Sequence, residues 1–75
     1  MIIIYKTPTC AYCKQVCQFL DWKKISYELR EAVGDEYSKL LERFGMTVPL
    51  IYNTETDNGM VGYDISKILY IVGLA

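Results

Sequence analysis

The residues with chemistry to offer are three cysteines, Cys10, Cys13 and Cys17, in a chain that has no histidine. Cys10 and Cys13 stand three positions apart in Thr7-Pro8-Thr9-Cys10-Ala11-Tyr12-Cys13, between the apolar run Ile2-Ile3-Ile4-Tyr5 and a segment of helical character. A sulfur at a strand-to-helix junction meets unpaired backbone amides and the positive end of the helix dipole, so negative charge on it is favoured. The thiolate is the nucleophilic form, which makes that placement matter. A free thiol of pKa about 8.5 is only about 3% ionised at neutral pH. One lowered to about 6 is about 90% ionised and keeps most of its nucleophilicity. The pair therefore points to thiol–disulfide exchange. In the first turn of a helix the leading residue lies at the open end and the residue three later lies one turn inside. Cys10 is thus expected to attack and Cys13 to resolve the mixed disulfide.

The other functional readings narrow quickly. With no histidine, hydrolysis by a Cys–His couple is excluded. Lys6 and Lys14 are the nearest cations in sequence and are candidates for supporting a thiolate, although solvated surface lysines would read the same way. Cys17 falls on the inward stripe of the helix and is expected to be a small apolar core residue, with a secondary redox or metal role as the alternative. Three cysteines lack the fourth cysteine or histidine that a structural zinc site wants, so no metal is expected.

The elements that must hold the pair follow in order. Ile2 to Tyr5 reads as a central strand buried on both faces. Pro8 ends the pairing, and Thr9 is the expected cap of a helix reaching to about Lys23, with Cys13, Val16, Cys17 and Leu20 on one stripe and Phe19 beside it. Ile25 to Arg30 alternates apolar and polar, the period of a half-exposed strand. Strand, helix and strand make a βαβ unit, which implies parallel pairing. Asp35 is the expected cap of a second helix, in which Tyr37, Leu40, Leu41 and Phe44 keep helical spacing and Gly45 is the stop. Pro49 to Tyr52 and Gly59 to Gly62 read as a hairpin, with Asn58-Gly59 as the turn signal. Asp64 is expected to cap a last helix with Ile65, Ile68, Leu69 and Val72 on one face and Gly73 at its end. The order β-α-β-α-β-β-α implies an α/β fold, a four-stranded mixed sheet flanked by helices.

Composition sets the outer limits. Residues 1–75 make one domain near the lower limit for folding on a single core, and 52% of them are hydrophobic, enough for a packed interior. Eight basic and nine acidic residues are interspersed for a net charge of −1, and no basic block is present to follow phosphates, which argues against nucleic acid. The apolar run at the front is too short for a membrane span or a signal peptide. An odd cysteine count does not suit a secreted disulfide scaffold. A soluble, cytoplasmic monomer is expected.

At this point the residues match a family. Tyr5-Lys6-Thr7-Pro8-Thr9-Cys10-Ala11-Tyr12-Cys13, then Thr47-Val48-Pro49, then Val61-Gly62-Tyr63-Asp64, in that order along the chain, resemble the glutaredoxins. The resemblance implies a thioredoxin-like fold in which Pro49 follows a cis peptide bond and faces the cysteine pair. It implies that the Val48 backbone pairs with an extended cysteine-containing substrate, that Tyr12 forms one wall of the groove, and that Thr47, Gly62, Tyr63 and Asp64 complete it. It implies no bound cofactor, with glutathione as reductant, and glutathione mixed disulfides and protein disulfides such as that of ribonucleotide reductase as partners. Ala11 stands where the family's proline is usual, Val61-Gly62 where Gly-Gly is common, Ile65 where a second acidic residue follows Asp64, and Thr7 where a basic residue often stands. The first departure touches the redox potential and the others touch glutathione recognition. Reduction by thioredoxin reductase is the alternative electron source, and an iron–sulfur or zinc carrier is a third reading.

Overall fold

Ile2, Ile3, Ile4 and Tyr5 are all buried in the computed structural model, which describes residues 1–74. Their strand, β1 (Ile2–Lys6), lies inside a four-stranded mixed sheet of order β2-β1-β3-β4, where β2 is Tyr27–Glu31, β3 Leu50–Asn53 and β4 Asn58–Val61. Side chains of a strand alternate between its faces, and two clusters divide accordingly. Ile2 and Ile4 pack with Val16 and Leu20 of α1 (Ala11–Trp22), with Ile51 and Met60 of the hairpin, and with Ile68 and Ile71 of α3 (Ile65–Val72). Ile3 and Tyr5 pack on the other face with Leu50 and with Leu40 of α2 (Asp35–Phe44), flanked by Tyr37 and Phe44. The expected order of seven elements is the observed one.

β1 pairs parallel with β2 and antiparallel with β3, which pairs antiparallel with β4. Tyr5 faces Leu50, Leu50 faces Val61, and Lys6 faces Glu31. The ends of β1, β2 and β4 and the start of β3 therefore lie together. Every segment that carries a candidate site residue leaves the sheet from that one end, except those in α1, which begins there.

Several boundaries differ from the sequence reading, each for a backbone reason. Cys10, not Thr9, is the N-cap of α1: the Cys10 N–H bonds back to the Thr7 carbonyl at 3.3 Å, so Thr9 lies in a turn. Strand β2 starts at Tyr27, because the Ile25 N–H closes the end of α1 on the Leu20 carbonyl at 2.9 Å and Lys24 takes a left-handed φ of 59°. Gly34, with φ 99°, caps α2, and Asp35 is its first residue, placing two acids, Asp35 and Glu36, at the positive end of the helix dipole. The hairpin turn is Thr54–Asp57, with Asp57 at φ 53°, while Asn58 already pairs with Asn53. Gly59 serves close packing instead, since a Cβ there would meet Phe44 Cδ2 at 2.9 Å. The face of α3 differs from the expected Ile65, Ile68, Leu69 and Val72. The helix buries Ile68 and Ile71 and leaves Ile65 44% exposed. Asp64 caps it by accepting the Lys67 N–H at 3.2 Å, and Gly73 ends it at φ 87°.

Candidate active site

Cys10 and Cys13 are joined by a disulfide, with their Cα atoms 5.2 Å apart at the start of α1. The Cys10 sulfur also accepts the Cys13 backbone N–H at 3.1 Å. It thus satisfies one of the amides that a helix start leaves unpaired, the role usually taken by serine or aspartate. No acidic residue lies in the first turn to compete with it for the positive end of the dipole. Cys10 is half-buried, whereas Cys13 is 2% exposed. Any reagent reaching the pair from solvent therefore meets the Cys10 sulfur first.

Two loops meet at the end of the sheet where α1 begins. The Val48–Pro49 peptide bond is cis, and the Pro49 carbonyl accepts the Gly62 N–H at 2.9 Å, tying the start of β3 to the segment after β4. Gly62, at φ 91°, turns the chain into Tyr63, whose ring stacks on Tyr12 with centroids 6.3 Å apart and planes 20° off parallel. Tyr12 is 59% exposed and Thr47 is exposed as well. The sheet register thus puts the Val48–Pro49 and Gly62–Asp64 segments at the end of the sheet where α1 begins, and the Tyr12–Tyr63 stack joins the second of them to α1. Asp64 is occupied as the helix cap.

One side of the pair went unread in the sequence. A cleft of about 370 Å³ runs from Thr7 and Pro8 past Cys10 and Cys13 to Cys17, Gln18, Tyr27 and Leu29, with Lys6 and Lys14 along it. Cys17 is half-buried rather than core, packed against the α1–α3 cluster with one side open to this cleft. Burial pushes its thiol up, against the pull of the Tyr27 hydroxyl, so it stays protonated at neutral pH. Tyr27 is raised in turn, by burial first and then by its hydrogen bond to Asp21, 3.0 Å away. Lys6 pairs with Glu31 at 3.1 Å. Among the described residues Lys14 has no acidic partner within ion-pair distance, and no group of three or more Cys, Asp or Glu side chains is arranged to hold a metal ion. The signal for the cleft lay in Tyr27 and Leu29. These are the inward residues of an edge strand, where α1 meets Tyr27 but leaves Leu29 exposed.

A four-stranded mixed sheet with a disulfide at the head of its first helix and a cis proline at the same end of the sheet is a thioredoxin-like fold. The solved structures it resembles agree. A point mutant of the thioredoxin-like protein BC3987 superposes with a TM-score of 0.77 at 22% identity, covering 99% of this chain and 96% of that one. The same protein without the mutation gives 0.74 at 23% identity, over 95% and 99%. A glutaredoxin from Archaeoglobus fulgidus gives 0.72 at 24% identity, over 95% of this chain and 84% of that one. At those identities the likeness establishes the fold. No curated protein matches the sequence. The model of the Glutaredoxin family matches residues 2–56, and the chain belongs to that family. Its chemistry is thiol–disulfide oxidoreduction, and its structure holds a Cys10–Cys13 disulfide.

Proposed function

We propose that the protein is a dithiol glutaredoxin that passes electrons from glutathione to disulfides, with Cys10 as the attacking sulfur and Cys13 as the resolving one. The observation that carries this reading is Cys10 itself, half-buried and capping α1 with its sulfur while Cys13 is buried. In the reduced protein the Cys10 thiolate attacks one sulfur of a substrate disulfide, and the other sulfur leaves as a thiolate. Cys13 then attacks the Cys10 sulfur, its proton passing to the departing thiolate, and the Cys10–Cys13 disulfide closes. Two glutathione thiols restore the dithiol, leaving glutathione disulfide. On a glutathionylated thiol Cys10 alone suffices: it takes the glutathionyl sulfur, and a second glutathione removes it. In this reading Val48 offers its backbone to the extended substrate next to its cysteine, and Tyr12 and Tyr63 form the wall beside it. Protein disulfides such as that of ribonucleotide reductase are the natural acceptors, and the protein acts as a monomer in the reducing cytoplasm.

The test is turnover of a glutathionylated thiol with glutathione and glutathione reductase, with Cys13→Ser beside the wild type. Activity retained in Cys13→Ser and abolished in Cys10→Ser supports the assignment. A wild type that is inactive at millimolar glutathione sinks the glutathione link. A second electron source, thioredoxin reductase, is favoured by Ile65, exposed in the first turn of α3 where a glutathione site would gain from an acid. Direct reduction of the Cys10–Cys13 disulfide by that enzyme decides between them.

A further inference from the structure

Among the described residues, the edge of the sheet on the disulfide's side leaves apolar surface open to water. Leu29 pairs in register with Ile4, and Tyr27 with Ile2, so both belong to the face that α1 and α3 cover. The buried residues of α1 and α3 pack against β1, β3 and β4, while β2 is a sheet edge at which α1 meets Tyr27 and leaves Leu29 uncovered. Leu29 is left 44% exposed on an inward-facing position. Together with Pro8, Cys17 and Tyr27 it gives the cleft an apolar floor, and that floor is continuous with the Cys10 sulfur.

The charges along the cleft are ordered. Lys6 and Lys14 lie at the end near the disulfide, and Lys14 has no acidic partner among the described residues. At the far end the Tyr27 hydroxyl is bonded to Asp21, one helical turn past Cys17. Length adds a constraint. Cys10 to Gln18 spans about 12 Å of helix at about 1.5 Å per residue, the reach of three or four residues of extended chain. Glutathione has a single residue on either side of its cysteine and cannot fill such a cleft.

We infer that this cleft binds the partner protein itself: an extended polypeptide segment flanking the disulfide cysteine, with an acidic residue close to that cysteine and an apolar one about two positions further on. The acid meets Lys14 and the apolar side chain lies against Leu29 and Tyr27. The inference rests on Cys10 being the attacking sulfur, as proposed above.

The probes are cysteine peptides activated as mixed disulfides with thionitrobenzoate. Attack by the reduced protein joins Cys10 to the peptide sulfur and releases the coloured thionitrobenzoate thiolate, so the second-order rate constant is read directly. One peptide carries Glu next to the cysteine and Leu two further on, a second has Lys for Glu, and a third has Ser for Leu; the set is made with the flank on either side of the cysteine. The wild type is expected to prefer the Glu peptide over the Lys peptide by about fivefold at low salt, a preference that molar salt erases. In Lys14→Glu the ratio inverts; taking the ratio within one variant cancels any change in the nucleophile. Leu should be favoured over Ser by about threefold, and Leu29→Ser removes that preference. Equal wild-type rates for all peptides overturn the inference without recourse to any variant. Preferences that survive both Lys14→Glu and Leu29→Ser also overturn it, since they would arise elsewhere. Release of thionitrobenzoate by Cys10→Ser would instead refute the assignment of the attacking sulfur. Failure of glutathione turnover would leave the peptide rates standing.

Discussion

Replacing Cys10 by alanine tests whether the sulfur proposed to attack disulfides is also a structural part of α1. Its sulfur supplies the side-chain cap of the helix, accepting the Cys13 N–H at 3.1 Å, and no first-turn acid stands in for it. Removing a polar N-cap costs about 1 kcal/mol, within a range of about 0.5–2. For a domain of this size that is a fall of about 4–8 °C in Tm. The comparison is made with thiol reductant present, so that loss of the disulfide is common to all samples. Cys10→Ser keeps a capping oxygen and should stay within about 0.5 kcal/mol of the reduced wild type. Thr9→Ala should also be nearly silent, because Thr9 lies in the preceding turn. Urea unfolding followed by far-ultraviolet circular dichroism measures all three. If Thr9→Ala costs more than Cys10→Ala, the helix begins one residue earlier and the sulfur does not cap it.

Other consequences follow from particular contacts. Gly45 has φ 136° and ψ 167°, a region essentially closed to other residues, and a Cβ there would lie 2.7 Å from Val61 Cγ2. Gly45→Ala should lower unfolding free energy by about 2–3 kcal/mol, and adding Val61→Ala should relieve the overlap but not the backbone strain. Asn53 is buried, donating to the Ile71 carbonyl and accepting from the Glu55 N–H, both at 2.9 Å, so Asn53→Ala should cost about 1–3 kcal/mol in the same assay. Tyr27 holds its proton more tightly folded than unfolded, so its contribution is complete below the unfolded value of about 10 and is lost as pH rises through the higher folded one. Urea midpoints for Tyr27→Phe should therefore fall less than those of the wild type above pH about 10. Asp57 is held low by its hydrogen bond with Arg43 and then by that with Tyr52, which gives stability present above about pH 4 and lost as pH falls through the lowered value. Arg43→Ala should flatten the acid limb of the stability profile, and an unchanged limb would count against the pair.

The strand and helix order was legible because each element carries its own period. β1 is a run of β-branched residues, α2 has four apolar residues at helical spacing, and Asp64 and Gly73 bracket α3. What failed was set by backbone hydrogen bonds that residue types do not announce. A Thr7–Cys10 turn moved the cap by one residue, and the amide of Ile25 was taken by the end of α1. The stripe of α3 was misplaced for a different reason: with six of its eight positions apolar, several faces look alike, and packing against the sheet and α1 buries Ile68 and Ile71 where Ile65 was expected. Parts of the candidate site were legible where motifs marked them: the cysteines that form the disulfide, the Val48–Pro49 bond that is cis, and Gly62, which bonds to the Pro49 carbonyl. The cleft was not, because Leu29 looks like an ordinary inward residue until the sheet order puts β2 at the edge.

The hairpin has a use that its place in the sheet creates. Its open ends, at Leu50 and Val61, support Pro49 and Gly62 beside the disulfide, while Thr54–Asp57 turns at the opposite end of the sheet. A reporter group or a short inserted sequence placed at Thr56, exposed in that turn, would sit a full strand length from the sulfurs. The same insertion after Gly62 would push Tyr63 off Tyr12. The chain thus has a handle and a working end, and an engineered sensor of its redox state would be attached at the handle.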